Sequence, residues 1–147
     1  SMATVSDLLT AKAGRPVLSI EHSETVLSAT QRMNEHSIGA LLVMEGGRLT
    51  GIFTERDVLR RVVAAQRNPA ETLVRDVMTT NMACASPDMS IDDARSIFKT
   101  HRIRHLPVVG SNGELAGMIS IGDLNAHLAN DREVTLHFLN EYLHGRT

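Results

Sequence analysis

The sequence predicts an α/β fold of the mixed α+β kind, with two copies of one small subdomain packed sheet to sheet about a pseudo-twofold axis and an extra C-terminal helix. Three observations predict it. The stretch Gly51–Asp57 (GIFTERD) returns 66 residues later as Gly117–Asp123 (GMISIGD). The positions before it repeat in order: Thr25, Val26, Ala29, Met33, His36, Ile38, Leu41 and Val43 are answered by Ser90, Ile91, Ala94, Phe98, His101, Ile103, Leu106 and Val108. Each half alternates strand-like and helix-like runs but is too short to bury a core alone, so the halves are expected to pack together. The repeats span residues 5–66 and 74–130, and residues 131–147 follow as a helix and tail.

Taken in order, Val5, Leu8 and Leu9 form a short helical lead, and Pro16–Ile20 (PVLSI) reads as a strand. Thr25 is an N-cap for a helix with Val26, Ala29 and Met33 on one face. Ile38–Met44 is an apolar strand run that Glu45, Gly46 and Gly47 turn into a hairpin with Leu49–Phe53. After Asp57 a second helix carries Val58, Leu59, Val62 and Val63, ending in the loop around Pro69. Val74, Asp76, Val77 and Met78 restart the pattern, and one inserted residue in the Gly110–Gly113 turn changes the offset before Gly117. Asp131 caps the last helix, whose apolar face holds Val134, Phe138 and Tyr142; it either docks on its own chain or makes a dimer contact.

Composition narrows the function. Fifteen basic and seventeen acidic residues give a formal charge of −2 with no basic block, which argues against duplex nucleic acid as a partner. One tyrosine and no tryptophan leave few stacking platforms for single strands. No apolar run reaches bilayer length, so no membrane partner is expected. The single Cys84 and the lack of a secretory pattern point to a reducing, cytoplasmic setting. Cys84 falls in an apolar strand and reads as a buried thiol. His101 and His105 are four apart, but the strand-like LPVV after them breaks helical spacing. His137 and His144 lie seven apart on the expected last helix, and no metal site is expected there.

The chemistry lies in the repeated turn: a glycine, two apolar residues, a hydroxyl (Thr54 or Ser120), and an aspartate three positions on (Asp57 or Asp123) where a helix begins. An aspartate there can cap the helix, and a hydroxyl at a strand end can simply bond backbone. Leaving a strand together, the two can also hold a vicinal diol, because a carboxylate only accepts while a diol offers two donors.

These two turns, with IGALLVM at Ile38–Met44 and IRHLPVV at Ile103–Val109, resemble the paired cystathionine beta-synthase (CBS) domains, or Bateman module, in free-standing form. The resemblance implies a regulatory, non-catalytic module that takes AMP, ADP, ATP, NAD or S-adenosylmethionine in clefts between the repeats, AMP foremost. It further implies a homodimer and a protein partner through which binding is reported. Carried over, one cleft joins Thr54, Arg56 and Asp57 to Asn81, Ala83, Ile103, Arg104 and His105. The other joins Ser120 and Asp123 to Lys12, Leu18, Ile38, Gly39 and Ala40. Gly39 and Ala40 replace a basic or polar pair, so the first cleft is expected to be richer in phosphate donors and Asp57 to hold the nucleotide more tightly. Two alternatives stand beside this reading: a structural dimerisation module with vestigial clefts, and nucleotide hydrolysis with Asp57 or His105 as base, although no GxxxxGK[ST] loop or acidic metal cluster supports the latter.

Overall fold

The computed structural model describes residues 3–13, 15, 17–130 and 139. It divides into two compact units: Gly14–Ala83, the central unit, and Ser1–Ala13 with Cys84–Thr147, the terminal unit. These boundaries cut across the sequence repeat, because each repeat's lead belongs to the unit built from the other repeat.

In the central unit, β1 (Ser19–Glu21) pairs in parallel with β2 (Ala40–Glu45), which pairs antiparallel with β3 (Arg48–Thr54). The strand expected over Pro16–Ile20 therefore sits later, at Ser19–Glu21. Gly46 and Gly47 turn the hairpin with φ of 56° and 85°, the left-handed pair that a two-residue connection demands. Helix α2 (Val26–His36) starts where the Thr25 hydroxyl accepts from the Ser28 amide at 3.1 Å. Its Val26, Ala29 and Met33 join Ile20, Leu41, Val43, Phe53 and Val62 in the core. The core is completed by Val74 and Val77 of α4 (Val74–Val77), the second repeat's lead. Each of these side chains except that of Ala29 gains about 1.5–3 kcal/mol on leaving water.

After β3, one turn, α3 (Glu55–Asp57), runs into a π-helix (Val58–Val63), visible in the Ala64 N–H donating to the Leu59 carbonyl five residues back. Val62 is fully buried there, but Leu59 and Val63 are 61% and 60% exposed. Two of the four apolar residues expected on this helix are therefore exposed. With Thr30, Met33, Ile38 and Glu55, the two border an open groove of about 520 Å³.

The terminal unit contains α1 (Val5–Ala11), α5 (Ile91–His101), the antiparallel pair β4 (His105–Val109) and β5 (Leu115–Ser120), and a helix, α6, over residues 121–130. Ser90 caps α5 by accepting from the Asp93 amide, as Thr25 caps α2. Val5, Leu8, Ile91, Ala94, Phe98, Leu106, Val108, Ile119 and Leu124 are buried. The counterpart of β1 shrinks to one bridge, Ala85 against Val108. The cause is local: His22 donates its amide to Met44, extending the central ladder, whereas Pro87 at the matching position has no N–H to donate. Cys84, expected inside a strand and buried, lies outside any strand and is exposed. Apart from exposed Leu139, the expected last helix lies outside the described residues.

The two leads dock by matching bonds. Val5 and Ser6 donate their amides to the carbonyls of Met89 and Pro87, as Val74 and Arg75 donate to Glu24 and His22. Ile91 donates to Ala3 as Val26 donates to Thr72. The turn glycines are shaped by this docking. A Cβ on Gly51 would stand 2.7 Å from Met78 Sδ and 2.9 Å from the Thr79 carbonyl, and one on Gly117 would stand 2.9 Å from Leu9 Cδ2.

Candidate functional site

Both turns form capping boxes, with the hydroxyl residue as N-cap and the aspartate at the third helical position. In the central unit Asp57 Oδ2 accepts from the Thr54 amide at 2.9 Å and the Thr54 hydroxyl at 3.2 Å, and the Asp57 amide donates to Thr54 Oγ1 at 3.3 Å. In the terminal unit Asp123 Oδ2 accepts from the Ser120 amide at 2.7 Å, and the Asp123 amide donates to Ser120 Oγ at 3.1 Å. The aspartates are thus partners of the cap rather than caps themselves. The sheet fixes each box, because the Glu55 and Ile121 amides donate to the Gly39 and Arg104 carbonyls, and Thr54 and Ser120 pair with Ala40 and His105.

The second contact to each carboxylate distinguishes the units. Asp57 Oδ1 accepts from the Thr79 hydroxyl at 3.0 Å, and Arg61 Nε stands 3.7 Å away while its Nη1 donates to the Val77 and Met78 carbonyls. Asp123 instead meets Lys12, whose Nζ is 2.9 Å from Oδ2 and donates to the Met118 carbonyl at 2.8 Å. The side chains of Asp57 and Asp123 are 7% and 16% exposed. Burial alone would push the Asp123 carboxyl up; the Lys12 hydrogen bond, the Ser120 amide, the Lys12 charge and the Ser120 hydroxyl outweigh it and hold the carboxyl below its ordinary value. Partial burial pushes the Cys84 thiol up, away from nucleophilic character.

The structure sorts the expected residues by unit. Thr54, Arg56, Asp57, Asn81 and Ala83 share the central unit with Leu18, Ile38, Gly39 and Ala40, while Lys12, Ser120 and Asp123 share the terminal unit with Ile103, Arg104 and His105. Direct contacts join Thr54 to Asp57, and Lys12 and Ser120 to Asp123. Asn81 and Arg104 are exposed, Ala40 is buried, and Ala83, Ile103, His105, Leu18, Ile38 and Gly39 are half-buried. Sequence reasoning missed Thr79, Arg61 and the Met118 carbonyl. The signal for Thr79 was weak: the repeat aligns it with Thr10, whose hydroxyl donates elsewhere, to the Ser6 carbonyl. Among the described residues no group of His, Cys, Asp and Glu side chains could hold a metal ion, and no helix is long and apolar enough to cross a membrane.

A family profile described as "CBS domain" matches residues 5–64 and again 74–130, each match containing one of these turns. The chain belongs to the CBS-domain family. CBS-domain protein YhcV of Bacillus subtilis is 36% identical over 123 residues, covering 84% of each chain. The structure of a CBS-domain protein from Burkholderia ambifaria MC40-6 superposes with a TM-score of 0.83 at 39% identity, covering 88% of this chain and 96% of that one. The CBS domain pair of protein MJ0100, solved with 5′-methylthioadenosine and S-adenosyl-L-methionine, shares the fold at a TM-score of 0.76 and 21% identity, covering 89% and 99%.

Proposed function

We propose that this CBS pair is a regulatory sensor of adenosine ligands, in which each box carboxylate accepts the ribose hydroxyls and occupancy is reported to a protein partner by a shift between two conformations. Asp57 and Asp123 are the diol acceptors, Thr54 and Ser120 support them, and AMP is the leading ligand, with ATP, ADP and NAD as relatives of the same chemistry. The dimeric state expected of the family belongs to the same proposal. One observation carries the reading: Asp57 Oδ1 already accepts from a hydroxyl, that of Thr79, at 3.0 Å. A ribose hydroxyl can take that place one hydrogen bond for another, without stranding a charge. The adenosine compounds in the MJ0100 structure are consistent with this reading.

A thermal-shift panel over adenosine, AMP, ADP, ATP, NAD and S-adenosylmethionine tests it. A ligand at a hundredfold its Kd adds about 2.7 kcal/mol, on the order of 5–10 °C in Tm for a chain of this size. No shift with any of them, in protein freed of copurified ligand by unfolding and refolding, contradicts it. That outcome would favour the structural-module reading, for which the boxes themselves speak, since both carboxylates are bonded within the fold.

A further inference from the structure

The two boxes share the reciprocal amide bonds between hydroxyl residue and aspartate, and differ in the groups that meet the carboxylate from the lead. On Asp57 the bonded group is a neutral hydroxyl, with the Arg61 Nε farther off, 3.7 Å from the same oxygen. On Asp123 it is an ammonium, 2.9 Å away and partly shielded, with the Lys12 side chain 26% exposed. A diol that takes Asp123 from Lys12 brings two donors and no charge. It leaves the ammonium beside the Met118 carbonyl without the carboxylate that balances it, and a partly buried cation stripped of its partner is costly. A ligand that also carries an anion removes that cost, because the ammonium can turn to the anion as it leaves the carboxylate. Lysine suits this exchange: its three donors ride on a flexible stem, two are engaged here, and a point charge pairs with phosphate from many directions.

Resting on the reading of Asp123 as a ribose acceptor, we propose that Lys12 is a charge latch: it occupies Asp123 in the ligand-free chain and transfers to the ligand's phosphate. The Asp123 site thereby selects phosphorylated nucleosides over uncharged ones. In the central unit Asn81 stands where the repeat places Lys12, and Arg61 is held off by its carbonyl partners, so Asp57 carries no such latch. The latch also gives the site a mechanical output. Lys12 is the C-cap residue of α1, whose Leu9 lies over Gly117 and whose first amides hold Pro87 and Met89. Moving Lys12 therefore loosens the end of a helix that is docked on β5.

The test uses the full chain, isotope-labelled, with AMP and adenosine titrated while the amides of Ser120, Gly122 and Asp123 are followed by NMR. The wild type should prefer AMP at this site by about tenfold or more. Lys12→Met should bind adenosine more tightly than the wild type and AMP more weakly, bringing the two within about threefold of each other. Lys12→Arg, which keeps the charge, should retain the preference. If adenosine binds no tighter to Lys12→Met, or the preference survives unchanged, the latch is wrong; if Asp123→Asn at the same time weakens both ligands, the ribose reading still stands. If neither ligand moves these amides in the wild type, both readings fall. The amide spectrum of residues 84–119, in the same unit as Lys12 and Asp123, serves in each variant as the check on folding.

Discussion

At the level of single residues, two carboxylates are each bonded within the fold, Asp57 to Thr54 and Thr79, Asp123 to Ser120 and Lys12. Asp123 accepts from Ser120 and Lys12, and these contacts outweigh the burial that would raise its pKa. A carboxyl held low in the folded state contributes stability that is fully present above its unfolded value, near 3.8, and is lost as pH falls through its folded value. Acidification from pH 5 downward should therefore lower the urea midpoint more for the wild type than for Lys12→Met, in which burial is no longer outweighed by the ammonium. Solvent screening keeps the difference small, and parallel curves would show that the ion pair adds nothing. The glycines make a separate prediction. Gly51→Ala places a methyl against Met78 Sδ and, less yieldingly, the Thr79 carbonyl, so it should cost about 1–3 kcal/mol, on the order of 3–10 °C in Tm. An unchanged melting curve would mean that the α4 lead does not press on β3. The hydroxyl, the aspartate and the glycine were all legible in sequence because they recur at one spacing. Thr79 and the Met118 carbonyl were not, since one has a counterpart that bonds differently and the other is a backbone atom with no residue signature.

At the scale of elements, caps and hairpin turns were readable because each is a local event: Thr25 and Ser90 accept from the third residue on, and Gly46 and Gly47 supply the left-handed turn. Thr25→Ala should thus lower stability by about 1 kcal/mol, and an unaltered denaturant midpoint would show that the cap is dispensable. Elements that depend on long-range partners were less readable. The full strand β1 and the single bridge at Ala85 differ by one missing amide, that of Pro87, two residues outside the bridge, and its effect shows only against the partner strand. In the segment after Asp57 the apolar spacing gave a helix but not its π character, and so not the outward aim of Leu59 and Val63. Cys84 sits in an apolar neighbourhood in sequence, but there the chain leaves the central unit for the terminal one, and the side chain is exposed.

At the scale of the whole molecule, the repeat in sequence and the units in space are different divisions of the chain. Residues 5–13 complete the terminal unit and residues 74–83 the central one, each by the same set of backbone bonds to a loop of the other repeat. A repeat cut out at its sequence boundaries would carry a lead that belongs to the other unit and lack the one that completes its own. Removing residues 3–13 should therefore strip hydrogen-exchange protection from the Ile91 amide, whose acceptor is the Ala3 carbonyl, while Val26, bonded to Thr72, keeps its own. Retained protection at Ile91 would contradict the exchange of leads. The same crossing gives the proposed sensor its wiring, since each box carboxylate is contacted by a residue in or just after a lead: Thr79 in the central unit and Lys12 in the terminal unit. Whether these two carboxylates are the ribose acceptors is decided by calorimetric titration of AMP into the wild type, Asp57→Asn, Asp123→Asn and the double variant, with circular dichroism confirming that each is folded. Each single change should weaken binding at one site by roughly ten- to a hundredfold, and the double variant should show no high-affinity binding. A folded double variant that binds AMP as the wild type does would contradict the claim.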